Sequence, residues 1–72
     1  MRETFQQIVA GYGGEEIKSR NPHMDSYGLE TGRVNYYFTT GTVTHQTPDG
    51  VLTKFTVFDA GDIEGALEKF IV

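Results

Sequence analysis

A histidine and an aspartate lie close together in a polar stretch of the sequence, at His23 and Asp25. An imidazole beside a carboxylate can act as a general acid–base pair, because the carboxylate stabilises the protonated ring. The same stretch also fits a polar loop whose Asn, Asp and Ser side chains bond their own backbone. There is no Cys, and no Ser with an evident base, to act as a nucleophile. We therefore predict no catalytic residues and no enzyme, and the alternative is a minimal enzyme that uses His23 and Asp25.

Metal ions and cofactors are not predicted. His23 and His45 are far apart in the sequence, and no acidic run has the spacing of a calcium loop. The glycines of residues 11–14 do not fit a phosphate-binding loop, because such loops follow a strand, whereas these follow a helical pattern. Glu15 and Glu16 come directly after them and would repel an anion. We assign these glycines to the end of a helix.

The charge distribution argues against direct binding to nucleic acid. The six Lys and Arg residues are spread along the chain with no two adjacent, whereas affinity for a phosphate backbone needs a basic cluster. Tyr36, Tyr37 and Phe38 could stack on bases, but they lack flanking positive charge. No apolar run approaches the roughly 20 residues that span a bilayer, and no signal-peptide core is visible. We expect no membrane partner and a cytoplasmic location.

The 72 residues predict one small α+β domain over residues 1–72. A chain this short buries only roughly 60% of its unfolded surface, so its own core stabilises it weakly. The sequence has no cysteine, so neither a disulfide nor a Cys-ligated metal can reinforce the fold. This favours self-association or a protein partner.

Apolar residues recur at helical spacing near both ends of the chain. They predict one helix over residues 2–12, which the glycines end, and a closing helix with Asp62 as its N-cap. The two apolar stripes comprise Phe5, Ile8, Val9 and Tyr12 in the first helix, and Ile63, Ala66, Leu67, Phe70 and Ile71 in the second.

Strand patterns fill the segment between the helices. Residues 15–20 predict a short edge strand, and residues 21–32 predict a long loop with brief pairing around residues 27–29. From residue 33, apolar and polar residues alternate as in a strand, up to a polar break at Gly41.

Two interpretations of Gly41 remain open: a tight hairpin with this glycine at positive φ, or one long bent strand with a bulge. Residues 42–46 again favour a strand, and Thr-Pro-Asp-Gly at residues 47–50 is a strong turn signal. Residues 51–58 are nearly all β-branched or aromatic and are the most strand-prone segment of the chain.

These elements predict a two-layer α+β sandwich, in which an antiparallel sheet of three to four strands is covered on one face by both helices. Alternation assigns one set of side chains to the core and the next set to the opposite face. The predicted core comprises Val34, Tyr36, Phe38, Val43, Phe55 and Val57. The predicted opposite face comprises Asn35, Tyr37, Thr39, Thr42, Thr44, Lys54, Thr56 and Phe58.

That opposite face is rich in threonine, mostly uncharged, and carries two aromatic residues. Threonine and tyrosine suit any solvated antiparallel sheet, which is one interpretation. Tyr37 and Phe58 are also rigid aromatic anchors of the kind that dominate protein interfaces. We predict that Tyr37, Phe58, Thr42 and Thr44 form a contact surface for a protein partner or for a second copy of the chain.

Part of the sequence resembles a group of small phage and prophage proteins. Thr-Thr-Gly at residues 39–41 separates two strand segments, and residues 66–71 read Ala-Leu-Glu-Lys-Phe-Ile, as in the closing helix of that group. The group has Pro where this chain has Phe38, Trp where it has Val43, and Asp where it has Asn35. The resemblance implies a phage or prophage origin and no established activity.

The C-terminal segment is the most acidic part of the chain. Residues 59–72 hold four acids and one base, a net charge of −3, and Glu64 and Glu68 are our candidate contact residues there. An acidic patch can dock on a basic surface, although an ordinary solvated helix face explains the same charges.

We predict a small non-enzymatic protein-binding domain that docks on a larger host protein or forms a homodimer through its sheet. The alternative, besides an enzyme that uses His23 and Asp25, is an acidic anti-defence inhibitor. Such an inhibitor would compete with nucleic acid for a basic groove on its target.

Overall fold

Helices stand at both ends of the chain, and the strands lie between them. The computed structural model describes residues 2–71, with the side chains of Phe70 and Ile71 outside the description. The described elements are α1 (Arg2–Gly11), β1 (Glu15–Ile17), β2 (Met24–Leu29), β3 (Gly32–Tyr37), β4 (Thr42–Gln46), β5 (Leu52–Thr56) and α2 (Ala60–Ile71). The five strands form one antiparallel sheet in the order β1-β2-β3-β4-β5, so each strand pairs with its neighbour in the sequence. The α+β class is confirmed.

Strand β2 lies where the sequence predicts a long loop. It pairs with β1 on one side and with β3 on the other, and this pairing compensates for Asp25, Ser26 and Gly28, which favour strands poorly. The turn between β2 and β3 consists only of Glu30 and Thr31. The prediction of three to four strands is therefore wrong, because β2 is a fifth strand.

The core lies between one face of the sheet and the two helices. Val34, Tyr36, Val43 and Val57 are buried, and Phe38 and Phe55 pack against them while partly exposed, which confirms the predicted core face. The helices and β2 complete this core with Phe5, Val9, Tyr27, Ile63, Ala66 and Leu67.

The first helix ends one residue earlier than the pattern predicts. Its last residue is Gly11, and Gly13 then takes a φ of 85°, a conformation that glycine adopts without strain. Tyr12 therefore lies beyond the helix and is 37% exposed, so the prediction that it belongs to the core stripe is wrong.

Gly41 closes a tight hairpin between β3 and β4. Its φ is 75°, and a Cβ at this position would lie 2.7 Å from the carbonyl oxygen of Val57, so a larger residue is excluded. The interpretation of one long bent strand is wrong. The predicted turn at residues 47–50 is confirmed, since the N–H of Gly50 donates to the carbonyl oxygen of Thr47 at 3.0 Å.

Strand β5 is shorter than the segment of residues 51–58 that the sequence favours, because the chain leaves the sheet to start α2. The N–H of Asp62 donates to Oδ1 of Asp59 at 2.9 Å, and the N–H of Phe58 donates to Oδ2 of Asp62 at 2.9 Å. The first bond is an N-cap bond, in which the Asp59 carboxylate accepts from a backbone donor in the first turn of the helix. The second bond joins the Asp62 carboxylate to the residue before the cap. The N-cap is therefore Asp59, and the assignment of Asp62 is wrong.

The predicted contributions of Phe70 and Ile71 to the apolar stripe lie outside the described side chains.

Candidate functional site

The face of the sheet opposite the helices carries most of the predicted contact residues. Asn35 pairs with Thr44, and Thr44 pairs with Lys54. Tyr37 pairs with Thr42, which in turn pairs with Thr56. Directly opposed residues in antiparallel strands project from the same face, so these side chains lie together. We call the face formed by Asn35, Tyr37, Thr42, Thr44, Leu52, Lys54 and Thr56 the open face.

Tyr37 is the aromatic residue of the open face. It stands between Tyr36, which is buried in the core, and Phe38, which packs against the core from the turn. Strand alternation forces Tyr37 away from the helices, and its side chain is partly exposed. Part of the Tyr37 ring is therefore accessible from solvent, and the backbone of Tyr37 is held by its pairing in β3.

A shallow concavity lies on the open face beside Tyr37. Its volume is about 310 Å³, and it is open to solvent. Strands β3, β4 and β5 each contribute to its wall, together with the hairpin turn. The lining residues are Tyr37, Thr40, Thr42, Thr44, Leu52 and Lys54.

Leu52 is the apolar wall of this concavity and is 62% exposed. Neither Leu52 nor Thr40 belongs to the contact surface that the sequence predicts. For Leu52 the signal was present, because it is two residues before Lys54 and alternation places both on one face. Thr40 belongs to the turn, where no period applies, and its hydroxyl donates to Oγ1 of Thr42 at 3.0 Å.

A hydrogen-bonded row of polar side chains crosses the centre of the open face. The hydroxyl of Ser26 donates to Oδ1 of Asn35 at 2.8 Å, and Nδ2 of Asn35 donates to Oγ1 of Thr44 at 3.2 Å. Ser26 and Thr44 are only 3% and 8% exposed, although both described helices pack on the other face of the sheet. The row fixes the orientation of the Asn35 amide, because its oxygen accepts from one strand and its nitrogen donates to the other.

Phe58 does not belong to the sheet. It follows the end of β5, and its backbone N–H donates to the carboxylate of Asp62 in the first turn of α2. Its side chain is 81% exposed, so it is available to a partner, but the structure places it outside the concavity. Thr39, also predicted on the opposite face, lies in the turn between β3 and β4.

Glu64 and Glu68 lie on α2 and are both exposed. Helix α2 buries Ile63 and Leu67 against the other face of the sheet. The acidic helix surface and the concavity at Tyr37 are therefore on opposite sides of the sheet, and one small partner surface does not reach both.

His23 and Asp25 have different environments. The guanidinium of Arg2 holds the Asp25 carboxylate with two hydrogen bonds, from Nε at 2.6 Å and from Nη2 at 2.7 Å. His23 is exposed in the turn before β2, and its backbone N–H donates to Oδ1 of Asn21 at 2.9 Å. Asp25 is thus paired with a cation from α1, and Asn21 bonds the backbone as expected of a polar turn.

The second histidine, His45, is 4% exposed and lies on the helix side of β4, where it pairs with Val34. Its Nε2 is 3.2 Å from the hydroxyl oxygen of Thr31. Burial lowers the pKa of the His45 imidazole below its ordinary value, because burial penalises the charged form. His45 is not among the core residues that the sequence predicts.

Two tyrosines of the core also have shifted acidities. Burial raises the pKa of Tyr27 to about 12, and the nearby carboxylate of Asp25 adds to the shift. Burial also raises the pKa of Tyr36. Both hydroxyls therefore stay protonated at neutral pH and act as structural groups beside the Arg2–Asp25 pair.

Within residues 2–71, no three His, Cys, Asp or Glu side chains converge as metal ligands. None of the described helices combines the length and the apolar character needed to cross a bilayer. No family model matches the chain, and neither the curated proteins nor the solved structures contain a match to it.

Proposed function

We propose that this chain is a small protein-binding domain, without catalytic activity of its own, that contacts a partner protein through the open face. The observation that supports this proposal is the concavity beside Tyr37, which combines a tyrosine ring, an exposed leucine and three threonines. Removing water from such a surface costs less free energy than from a highly charged one, because its polar groups are uncharged apart from Lys54.

The energetics of interfaces favour Tyr37 as the central contact. Aromatic residues in the middle of an interface contribute most of the binding free energy, and neighbouring small polar residues mainly exclude water. The threonines around Tyr37 fit the second role. A Tyr37 ring that inserts into a partner pocket would place Thr42 at the rim, whereas Thr44 is 8% exposed and lies beneath the contact.

The resemblance to phage and prophage proteins suggests where the partner is found. We propose that the chain acts in a bacterial cell and that its partner is a larger host protein. The hydrogen-bonded row of Ser26, Asn35 and Thr44 supports such a role, because it holds the open face rigid without any bound partner.

The test is a pull-down from a bacterial lysate with tagged wild-type protein, Tyr37→Arg and Tyr12→Arg. Tyr12 is a matched control, since it is a partly exposed tyrosine that lies away from the open face. Circular dichroism first establishes that both variants fold. We expect wild type and Tyr12→Arg to retain a stoichiometric partner and Tyr37→Arg to lose it.

Light scattering on the purified chain separates the two forms of the proposal. A dimer that Tyr37→Arg dissociates would assign the open face to self-association rather than to a host protein. A folded Tyr37→Arg variant that keeps the partner with wild-type affinity would refute the open face as the binding surface. A monomer that captures no partner would refute the protein-binding function.

A further inference from the structure

Strand β5 is the last strand of the sheet, so among residues 2–71 no strand lies beside one edge of its backbone. Leu52, Thr53, Lys54 and Thr56 are all exposed. The other terminal strand, β1, is only three residues long, and a very short edge strand offers few backbone groups for pairing. The sheet therefore has one edge long enough to accept another strand.

The hydrogen bonds at the two ends of the β4–β5 ladder show which groups point to the free edge. The N–H of Val57 donates to the carbonyl oxygen of Gly41 at 2.8 Å, and the N–H of Thr47 donates to the carbonyl oxygen of Val51 at 2.9 Å. In an antiparallel ladder these bonds occur at every second residue. Thr53 and Phe55 therefore bond to β4, and the N–H and C=O groups of Leu52, Lys54 and Thr56 point away from it.

The residues with outward backbone groups are also the residues whose side chains lie on the open face. Leu52 and Lys54 line the concavity beside Tyr37. A strand added to this edge would direct every second side chain onto the same face. Backbone pairing at the edge and side-chain contact with the concavity are thus available to one extended segment.

Lys54 determines which segment fits. It is the central residue of β5 and the only charged residue of that strand. If two copies paired antiparallel with their full edges in register, Lys54 would face Lys54 of the second copy, and like charges directly opposite each other destabilise a ladder. A segment with Asp or Glu at that position gains an attractive cross-strand pair instead, and an apolar residue two positions along would contact Leu52.

We propose that the free edge of β5 binds an extended segment of a partner protein as a sixth strand, with an acidic residue opposite Lys54 and an apolar residue opposite Leu52. This inference rests on the proposed protein-binding function and names the chemistry of its partner. Hydrogen bonds to the backbone groups of Leu52, Lys54 and Thr56 provide affinity that does not depend on the side chains of the partner segment. The side chains at the concavity provide specificity.

The probe is a displayed library of random peptides of about 12 residues, long enough for a strand and its flanks. We expect selection on the wild-type chain to enrich peptides in which apolar or β-branched residues occupy every second position. These peptides should also carry one Asp or Glu at a fixed position. Selection on Lys54→Glu should enrich Lys or Arg at that position instead. A library that yields no binder, or binders without this pattern, would overturn the inference.

A proline at position 56 tests the backbone pairing. Thr56→Pro removes an N–H that points to the free edge and keeps the bonds to β4, and Thr56→Ala is the matched control that retains the N–H. We expect an enriched peptide to bind Thr56→Pro about tenfold more weakly than it binds Thr56→Ala, because only Thr56→Ala keeps the N–H. Equal affinity for folded Thr56→Pro and Thr56→Ala would overturn the inference.

Amide hydrogen exchange of the wild-type chain provides a readout that needs no variant. Adding the peptide should protect the amides of Leu52, Lys54 and Thr56, because they become hydrogen-bonded. Protection confined to other amides would contradict pairing at this edge.

The two proposals are separated by testing the lysate partner against Tyr37→Arg and Thr56→Pro. Loss of the partner with both variants supports both proposals. Loss with Tyr37→Arg alone supports the open face and overturns the edge. Loss with Thr56→Pro alone supports the edge and refutes the role of Tyr37, and retention by both folded variants refutes both.

Discussion

Phe5 of α1 stacks on Tyr36 of β3, with the ring centroids 4.3 Å apart and the ring planes inclined by 11°. Tyr27 of β2 contacts the same phenylalanine at a centroid distance of 5.5 Å. Phe5 is fully buried, and both tyrosines are 2% exposed. One side chain thus joins the first helix to two strands, and the tyrosines that it contacts lie on the face opposite Tyr37.

Replacing Phe5 should therefore destabilise the whole fold. We expect Phe5→Ala to lower the free energy of unfolding by about 3–5 kcal/mol, because it removes buried apolar surface and leaves a cavity. A small single core rarely supplies more than about 3–5 kcal/mol, so this variant should be largely unfolded. Phe5→Leu, the control, keeps most of the volume and should cost less. Urea denaturation followed by circular dichroism measures both, and a cooperative Phe5→Ala transition at the wild-type midpoint would contradict the role of this contact.

The polar row of the open face should also contribute to stability. Asn35→Ala removes the acceptor of the nearly buried Ser26 hydroxyl and the donor to Thr44. We expect a loss of about 1–3 kcal/mol, the cost of a buried polar group that has lost its partner. The exposed neighbour Thr56→Ala should change stability by less than about 0.5 kcal/mol. Equal denaturation midpoints for the two variants would show that the row does not stabilise the sheet.

Asp59 is the N-cap of α2, so its side chain should contribute to stability. Asp59 accepts from the N–H of Asp62, so Asp59→Ala should lower the free energy of unfolding by about 1 kcal/mol. Glu64→Ala, in the exposed part of the same helix, should lie within about 0.5 kcal/mol of wild type. Thermal denaturation of the two variants is the measurement. A larger loss for Glu64→Ala than for Asp59→Ala would refute the assignment of the N-cap.

His45 should make stability depend on pH in the acidic range. Its pKa in the folded chain is lowered below the ordinary value of 6.5, so the unfolded chain takes up the proton first as the pH falls. The stability that the neutral ring contributes is therefore fully present above the ordinary pKa of 6.5. It is lost as the pH falls from there toward the lowered pKa of the folded chain. We expect the difference in unfolding free energy between neutral pH and about pH 5.5 to be smaller in His45→Gln than in wild type. The same difference in both proteins would show that His45 is not responsible.

Much of the fold could be predicted because local patterns and tertiary structure agree. Val34, Tyr36 and Val43 alternate with polar residues, and the structure buries all three. The same period placed Tyr37 and Thr44 on the open face. Where the period is regular, a strand's faces follow from its residue types alone.

Strand β2 could not be predicted, because its stability comes from its neighbours. Only Met24, Tyr27 and Leu29 of its six residues are apolar, and Ser26 is buried by its bond to Asn35 rather than by hydrophobicity. Pairing on both sides supplies what the local sequence lacks. The prediction that Phe58 lies on the sheet is wrong for a related reason. Residues with high strand propensity continue past Thr56, but the chain leaves the sheet there because Asp59 caps the start of α2.

The sheet order has a consequence for how the chain folds. Every strand pairs with the next strand in the sequence, so each hairpin needs only a short loop to close. The sheet can grow by successive hairpins, and the docking of α1 onto α2 is the step that joins the two ends of the chain. A low sequence separation between paired strands favours rapid folding. Rapid folding shortens the period in which the unpaired edge of β5 and the core face of the sheet are both exposed to other chains.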